Sequence, residues 1–297
     1  MLNKTTKFLV VFCLLSVICS TGVWADENHL LPMLRMGVDA RALSMGAAYV
    51  AEASDASAGY WNPAGLADIE EGKLSLTLMG SLGMSFDRSY NYFGFGYGFS
   101  FATFGISWLN AGITDISKRG DLGQDLGTFK DMNNVFLISA ATKLKNFSVG
   151  GSFKVVNQKI DDYGKTGVGA DVGVKFRPTD KSAVGVILRD IGTKVDGWRV
   201  PSNLQFGVAI YPVEGFIFSA DGTKTLNTSE LAFHMGGEYA YEFCSNWWTK
   251  LRAGVNDGRF AIGAGLQFSK VMIDYGYVVE KEDFMKDNHK LSLSFEF

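Results

Sequence analysis

The chain has 297 residues, 47% of them hydrophobic, a mean hydropathy of +0.07 and a formal charge of −3 at pH 7. Its charges are scattered and form no basic stripe, which excludes nucleic acid as an expected partner. Beyond residue 25 no apolar run reaches the roughly 20 residues that a membrane-spanning helix needs, whereas 35 Gly, 23 Phe and 11 Tyr against 5 Pro suit many strands joined by turns.

Lys4 and Lys7 precede an apolar run from Phe8 to Val23, closed by the small-residue site Val23-Trp24-Ala25. This order predicts an export signal over residues 1–25, cut after Ala25. A retained anchor fits less well, because Cys19 and Ser20 to Gly22 interrupt the run, and the bulk of Ile18 before Cys19 speaks against lipidation. Cleavage removes Cys13 and Cys19 and leaves Cys244 alone, so no intramolecular disulfide is expected. Loss of the two lysines takes the formal charge from −3 to −5.

Residues 26–72 lack a strand period and read as short helices broken by glycine. Small residues in the stretch from Asp39 to Ala53 permit close helical packing, and Asn62-Pro63-Ala64-Gly65-Leu66 forms a turn fixed by its Pro and Gly. Such a segment is too short to be a domain. It reads as a short, partly helical N-terminal plug.

From residue 73 to 297 side chains alternate with period two. Leu291, Leu293, Phe295 and Phe297 form one face of the last segment, and Lys290, Ser292, Ser294 and Glu296 the other. The period predicts fourteen strands, at 73–81, 88–98, 101–110, 133–144, 147–158, 165–177, 182–191, 202–211, 215–222, 230–242, 247–255, 259–268, 270–279 and 288–297. Most approach the roughly 9 to 11 residues that a tilted strand needs to cross a bilayer.

Every second connection reads as short, for example Phe99-Ser100, Lys145-Asn146 and Ser269, while the others are longer and polar. The longest runs from Ala111 to Met132, and Asn256-Asp257-Gly258 is the exception. Alternation of this kind, with an even strand number, predicts an all-β transmembrane antiparallel barrel whose N-terminus is periplasmic, in the outer membrane of a diderm bacterium. A soluble sheet shares the period, but Gly and Ala mixed with isolated Asp171, Arg189, Arg252 and Asp274 suit a lumen better than a solvated face. Tyr90, Tyr92, Phe93, Phe95, Tyr97, Trp108, Tyr211, Trp247, Trp248, Tyr275 and Tyr277 are candidates for interfacial girdles, or in part for packing against the plug. Phe295 and Phe297 are candidates for the signal read by the barrel-assembly machinery.

At Ala40, Arg41, Met45 and Gly46, followed by Trp61, Asn62, Pro63, Ala64, Gly65 and Leu66, the chain resembles the FadL-like outer-membrane family and its PorV/PorQ branch. The resemblance implies a 14-stranded barrel with a hatch in its lumen, in agreement with the strand reading. It makes Arg41, Met45, Trp61, Asn62, Pro63, Ala64 and Gly65 the candidate ligand and hatch residues. Arg41 suits either a ligand carboxylate or an internal pair with Asp39 or Asp55.

Catalysis is not expected. His29, His234 and His289 stand far apart, no cluster has metal-ligand spacing, and Gly94-x-Gly96-x-Gly98 is a glycine face alternating with Phe95, Tyr97 and Phe99 rather than a phosphate loop. No cofactor is implied. Asp161-Asp162 and Glu280, Glu282 and Asp283 read as solvated loop charge. Two functions remain: hatch-gated passage of a hydrophobic solute such as a long-chain fatty acid, or a PorV/PorQ-like part of a secretion or surface-attachment machine with secretion-system proteins as partners.

Overall fold

The computed structural model describes residues 31–82, 87–279 and 288–297. The expected export signal and its cut after Ala25 lie outside these residues.

Fourteen strands carry the fold: β1 (Leu74–Leu82), β2 (Arg88–Gly98), β3 (Thr103–Arg119), β4 (Asp125–Leu144), β5 (Phe147–Ile160), β6 (Tyr163–Thr179), β7 (Ser182–Val195), β8 (Asn203–Ile210), β9 (Phe216–Thr225), β10 (Leu231–Cys244), β11 (Trp247–Asn256), β12 (Arg259–Phe268), β13 (Val271–Val278) and β14 (Asn288–Glu296). Each pairs antiparallel with its neighbours in the chain, and β1 pairs with β14 from Ser75↔Glu296 to Leu82↔His289. The sheet therefore closes and leaves no edge. A further two-residue piece, Trp198–Arg199, only folds back on β7.

Closure meets the physical demand of hydrocarbon, where unpaired backbone groups find no water. The outward faces carry exposed apolar side chains, among them Ile106, Ile138, Phe153, Met235, Leu251, Ile262 and Ile273, while Ser152, Asp171, Arg252, Asp274, Lys290 and Ser292 are buried inside. Apolar out and polar in is the inverse of a soluble barrel, and it makes this one transmembrane. At the end of the short turns the outer surface is dense in aromatic rings, with Phe99, Phe101 and Phe104 edge to face or tilted, and Phe147 stacked on Phe176 at 4.2 Å.

All fourteen expected strands are present, and their ends show one systematic difference. The stretch from Ala111 to Met132, expected as the longest loop, is mostly the continuation of β3 and β4, which pair as far as Arg119↔Asp125. Likewise β5 and β6 run on until only Asp161 and Asp162 join them. A hairpin outside the bilayer satisfies its own backbone groups whatever its polarity, so these strands continue where their hydrophobic period fades. Two-residue turns then close with positive φ, as at Asp257 (47°) and Gly258 (77°).

Residues 31–72 lie within the lumen. A 3-10 turn (Pro32–Arg35), α1 (Ala40–Ser44), α2 (Ala58–Trp61) and a second 3-10 turn (Pro63–Asp68) are joined by buried irregular chain. Near one end Arg35 pairs with Glu230, in the connection after β9. At the other, Asp68 meets Lys143 and Arg177 near the ends of β4 and β6. The segment thus runs down the barrel from the end of the longer connections to the end of the short turns.

Candidate functional site: the lumen and its plug

Barrel glycines make the space this segment fills. A Cβ at Gly236 would stand 2.2 Å from the Met45 carbonyl oxygen, one at Gly254 2.3 Å from the Gly46 nitrogen, and one at Gly150 2.5 Å from the Ala64 nitrogen. At Gly173 it would lie 2.0 Å from Asn62 Oδ1. The glycine face of β2 does the same, with Gly98 against the Glu70 carbonyl. Backbone of wall and plug are therefore in direct contact.

The candidate residues gather at two patches of wall. At the first, Arg41 Nε and Nη2 donate to the two carboxylate oxygens of Glu238 on β10 at 2.9 and 3.2 Å; Nη1 donates to Tyr49 Oη at 2.7 Å and Nη2 also to Glu52 at 2.9 Å. The internal partners are thus Glu238 and Glu52, in place of Asp39 or Asp55. Burial alone would weaken the arginine's charge, but Glu238, Tyr49 and Glu52 raise its pKa well above the ordinary value. The network continues through Glu238 to Arg252 Nε (2.6 Å) and from Arg252 Nη1 to Asp274 (2.6 Å). Gly265, on the strand between them, gives these two side chains room to meet. Met45 is fully buried beside them.

The second patch holds Trp61, Asn62, Pro63, Ala64 and Gly65. Trp61 donates from Nε1 to the Val38 carbonyl at 3.0 Å and meets Tyr60 and Tyr49 edge to face. Asn62 Nδ2 donates to the Val50 and Val174 carbonyls at 2.9 and 3.3 Å, and its Oδ1 accepts from the Ala64 amide at 3.2 Å. One side chain thereby joins two stretches of plug to β6. Gly65 packs so closely on the Ala53 carbonyl that a Cβ would approach to 2.2 Å. Below them Lys175 donates to the Ala53 carbonyl and to Asp68; although burial opposes it, Lys175 and Arg177 hold the Asp68 carboxyl below its usual range.

Charge reading of the strands located Asp171, Arg189, Arg252 and Asp274 inside, but it missed their partners. Lys154 bonds Asp171 (2.9 Å) and Asp190 (2.5 Å), and Asp190 reaches the lumen because β7 bulges between Leu188 and Lys194, with positive φ at Asp190 and Gly192. Two adjacent charges, Arg189-Asp190, in an alternating strand were the available signal. Tyr90 and Tyr92, considered for the girdle, point inward instead, donating to the Gly37 and Ala56 carbonyls at 2.8 and 3.1 Å. Phe295 and Phe297 face outward and stack at 6.1 Å, beside the rim where Phe297 and Leu74 exchange backbone hydrogen bonds.

Between the plug and β7 to β12, near the end of the longer connections, lies a cavity of about 360 Å³ bordered by Tyr60, Trp61, Arg189, Gln205, His234 and Asn256. Among the described residues no group of three His, Cys, Asp or Glu could hold a metal ion.

The sequence matches no protein-family model and no curated protein. Solved structures do share the fold. The Ralstonia pickettii toluene transporter TbuX aligns over 88% of this chain and 98% of its own, with a TM-score of 0.62 and 14% identity. The monoaromatic hydrocarbon channel CymD aligns over 88% and 96% (TM-score 0.60, 13% identity), and a Pseudomonas aeruginosa FadL homologue over 93% and 99% (TM-score 0.56, 12% identity). The chain has the FadL-like barrel fold.

Proposed function

We propose that the protein is a passive conduit in the outer membrane of a diderm bacterium, taking a hydrophobic solute such as a long-chain fatty acid, with residues 31–72 as a hatch whose displacement opens the lumen. The observation that carries this reading is the way the plug is held. Its described contacts with the wall are hydrogen bonds, ion pairs and packing at glycines, centred on Arg41 and Asn62, and such contacts can be exchanged in a discrete rearrangement. The folds of a toluene transporter, a monoaromatic hydrocarbon channel and a FadL homologue support it. No catalytic step or cofactor belongs to the reading. The short-turn end, where β1 begins, would be periplasmic, and Phe295 and Phe297 would mark the C-terminal strand for insertion.

The β3–β4 hairpin, paired to Arg119↔Asp125 with Leu122 at its tip fully open, favours a second reading as a PorV/PorQ-like component of a secretion or attachment machine. Native mass spectrometry with lipid extraction, on protein taken from outer membrane in mild detergent, separates the two. Co-purified fatty acid that disappears in Arg41→Ala and in a deletion of residues 31–72 supports the conduit. An empty barrel with a stoichiometric protein partner overturns it.

A further inference from the structure

Arg189 is the one lumenal arginine of the described network that meets no carboxylate. Arg41 has Glu238 and Glu52, and Arg252 has Glu238 and Asp274. Arg189, 9% exposed, donates only from Nη2, to the Trp61 carbonyl at 2.7 Å; its Nε is buried with no acceptor. Its charge lies 5.0 Å from the Tyr60 ring centroid and 5.5 Å from that of Trp61. These ring contacts orient the guanidinium but supply little of the anionic partner that a buried cation calls for. Asp221, further along the same wall, acts on Arg189 only through space: its Oδ2 accepts from the Tyr49 and Val50 amides and from Gln205 at 2.9 to 3.0 Å, and neither of its oxygens forms an ion pair or a hydrogen bond with the guanidinium.

Arg189 borders the 360 Å³ cavity, whose size falls within the roughly 300–1,000 Å³ of small-molecule pockets. Its other walls mix apolar side chains such as Leu34 and Leu231 with charged ones and with amides that have hydrogen-bonding capacity to spare. Asn256 Oδ1 is engaged by His234 and Asn203 Oδ1 by Thr225, leaving both amide nitrogens to face the cavity; Gln205 donates to Asp221 and leaves its carbonyl oxygen. An apolar solute here would strand all of these groups and the Arg189 charge. A ligand with one acidic group and several hydroxyls would satisfy them.

We propose that this cavity binds a hydroxylated organic acid, free or as the head group of an amphiphile, with its carboxylate on Arg189 and its hydroxyls on Asn203, Gln205 and Asn256. Such binding is independent of whether a hydrophobic solute crosses the lumen. A charge-assisted pair in a buried site accounts for the affinity, and the amides select against unhydroxylated acids.

The test is calorimetry on the full protein in nanodiscs, titrated with gluconate, with dodecyl glucuronide, and with laurate and dodecyl maltoside as controls. Saturable binding of at least one of the first two, weakened tenfold or more by Arg189→Gln and largely kept by Arg189→Lys, is expected. Binding of gluconate identifies a free acid, and binding of the glucuronide alone identifies an amphiphile's head. Because Arg189 also touches the plug, Asn256→Ala and Gln205→Ala, which leave that contact intact, must each weaken binding several-fold. No binding by either acid, equal binding by Arg189→Gln, or equal binding of laurate or dodecyl maltoside overturns the proposal. Fatty acid co-purification, which tests the conduit, is read separately and stands or falls without it.

Discussion

Arg41 in the plug and Glu238 in the barrel wall, 197 residues apart in sequence, are joined through two parallel N–H···O contacts of 2.9 and 3.2 Å. Planar guanidinium and carboxylate match only in this paired geometry, so the contact fixes the plug's orientation as well as its position. Glu238 is also gripped by Arg252, which in turn holds Asp274. The pair is thus the point where the plug enters a charge network belonging to the wall.

Arg41→Ala leaves Glu52 and half of Glu238 without their cation in a buried setting. Removal of one partner of a buried ion pair costs about 3–5 kcal/mol, and here the loss falls on plug docking rather than on the barrel ladder. Urea titration in detergent should show an early plug transition, and planar-bilayer conductance should rise. In a cycle with Glu238→Ala the double variant should lose less than the sum of the two single ones. Unchanged conductance and midpoint would show that the pair does not hold the plug.

Wall glycines predict a graded series. Alanine at Gly236, Gly254 or Gly173 places a methyl 2.2, 2.3 or 2.0 Å from plug atoms, whereas at Gly222 the nearest atom is 3.9 Å away. Overpacking of this kind costs about 1–3 kcal/mol. The first three should raise protease access to residues 31–72 in the folded barrel, and Gly222→Ala should not.

Asn62→Ala removes the two Nδ2 donors to the Val50 and Val174 carbonyls and the Oδ1 acceptor, stranding the Val50 carbonyl and the Ala64 amide, while Val174 keeps its place in the ladder of β6. At about 1–3 kcal/mol per stranded buried group, the turn should loosen locally. Hydrogen exchange at residues 62–66 should accelerate while the strand amides of β2 and β12 stay protected; uniform acceleration would instead mean that the barrel itself had weakened.

Asp39 carries a pH dependence. Burial, reinforced by Asp55 and Asp274 and opposed by Arg41 and Arg252, pushes its carboxyl up from 3.8 to about 7. Between these values the folded chain keeps a proton that the unfolded chain has released. Stability from this group is therefore fully present below about pH 4 and is lost as pH rises toward 7, at no more than about 1.4 kcal/mol per pH unit. Asp39→Asn keeps the acceptor for the Arg41 amide and suits the positive φ of 69° at this position. The variant should melt close to wild type near pH 4 and above it at pH 7; a Tm difference that does not change with pH would contradict the assignment.

Legibility in the sequence depends on which forces act locally. In a barrel each strand's faces are set by alternation along its own few residues, so Leu291 to Phe297 and Phe260 to Phe268 can be assigned to a face without knowing their neighbours. Fourteen strands, the lumenal Asp171, Arg189, Arg252 and Asp274, and a non-strand segment before residue 73 all come from that local rule. So does the glycine face of β2, whereas the Asn62-Pro63-Ala64-Gly65-Leu66 turn was legible from its Pro and Gly. Strand ends escape it, because outside the bilayer backbone pairing in the β3–β4 hairpin no longer depends on side-chain polarity.

Pairing across the lumen was decided only by the tertiary structure. Arg41 had acidic residues nearby in sequence, yet it meets Glu238 because closure of β1 on β14 and the path of the plug bring β10 to it. Lys154 finds Asp190 only because a bulge in β7 turns that side chain inward. Arg189 lacks a carboxylate for the same reason: which charges face one another depends on strand register and barrel closure, and those are properties of the whole ring.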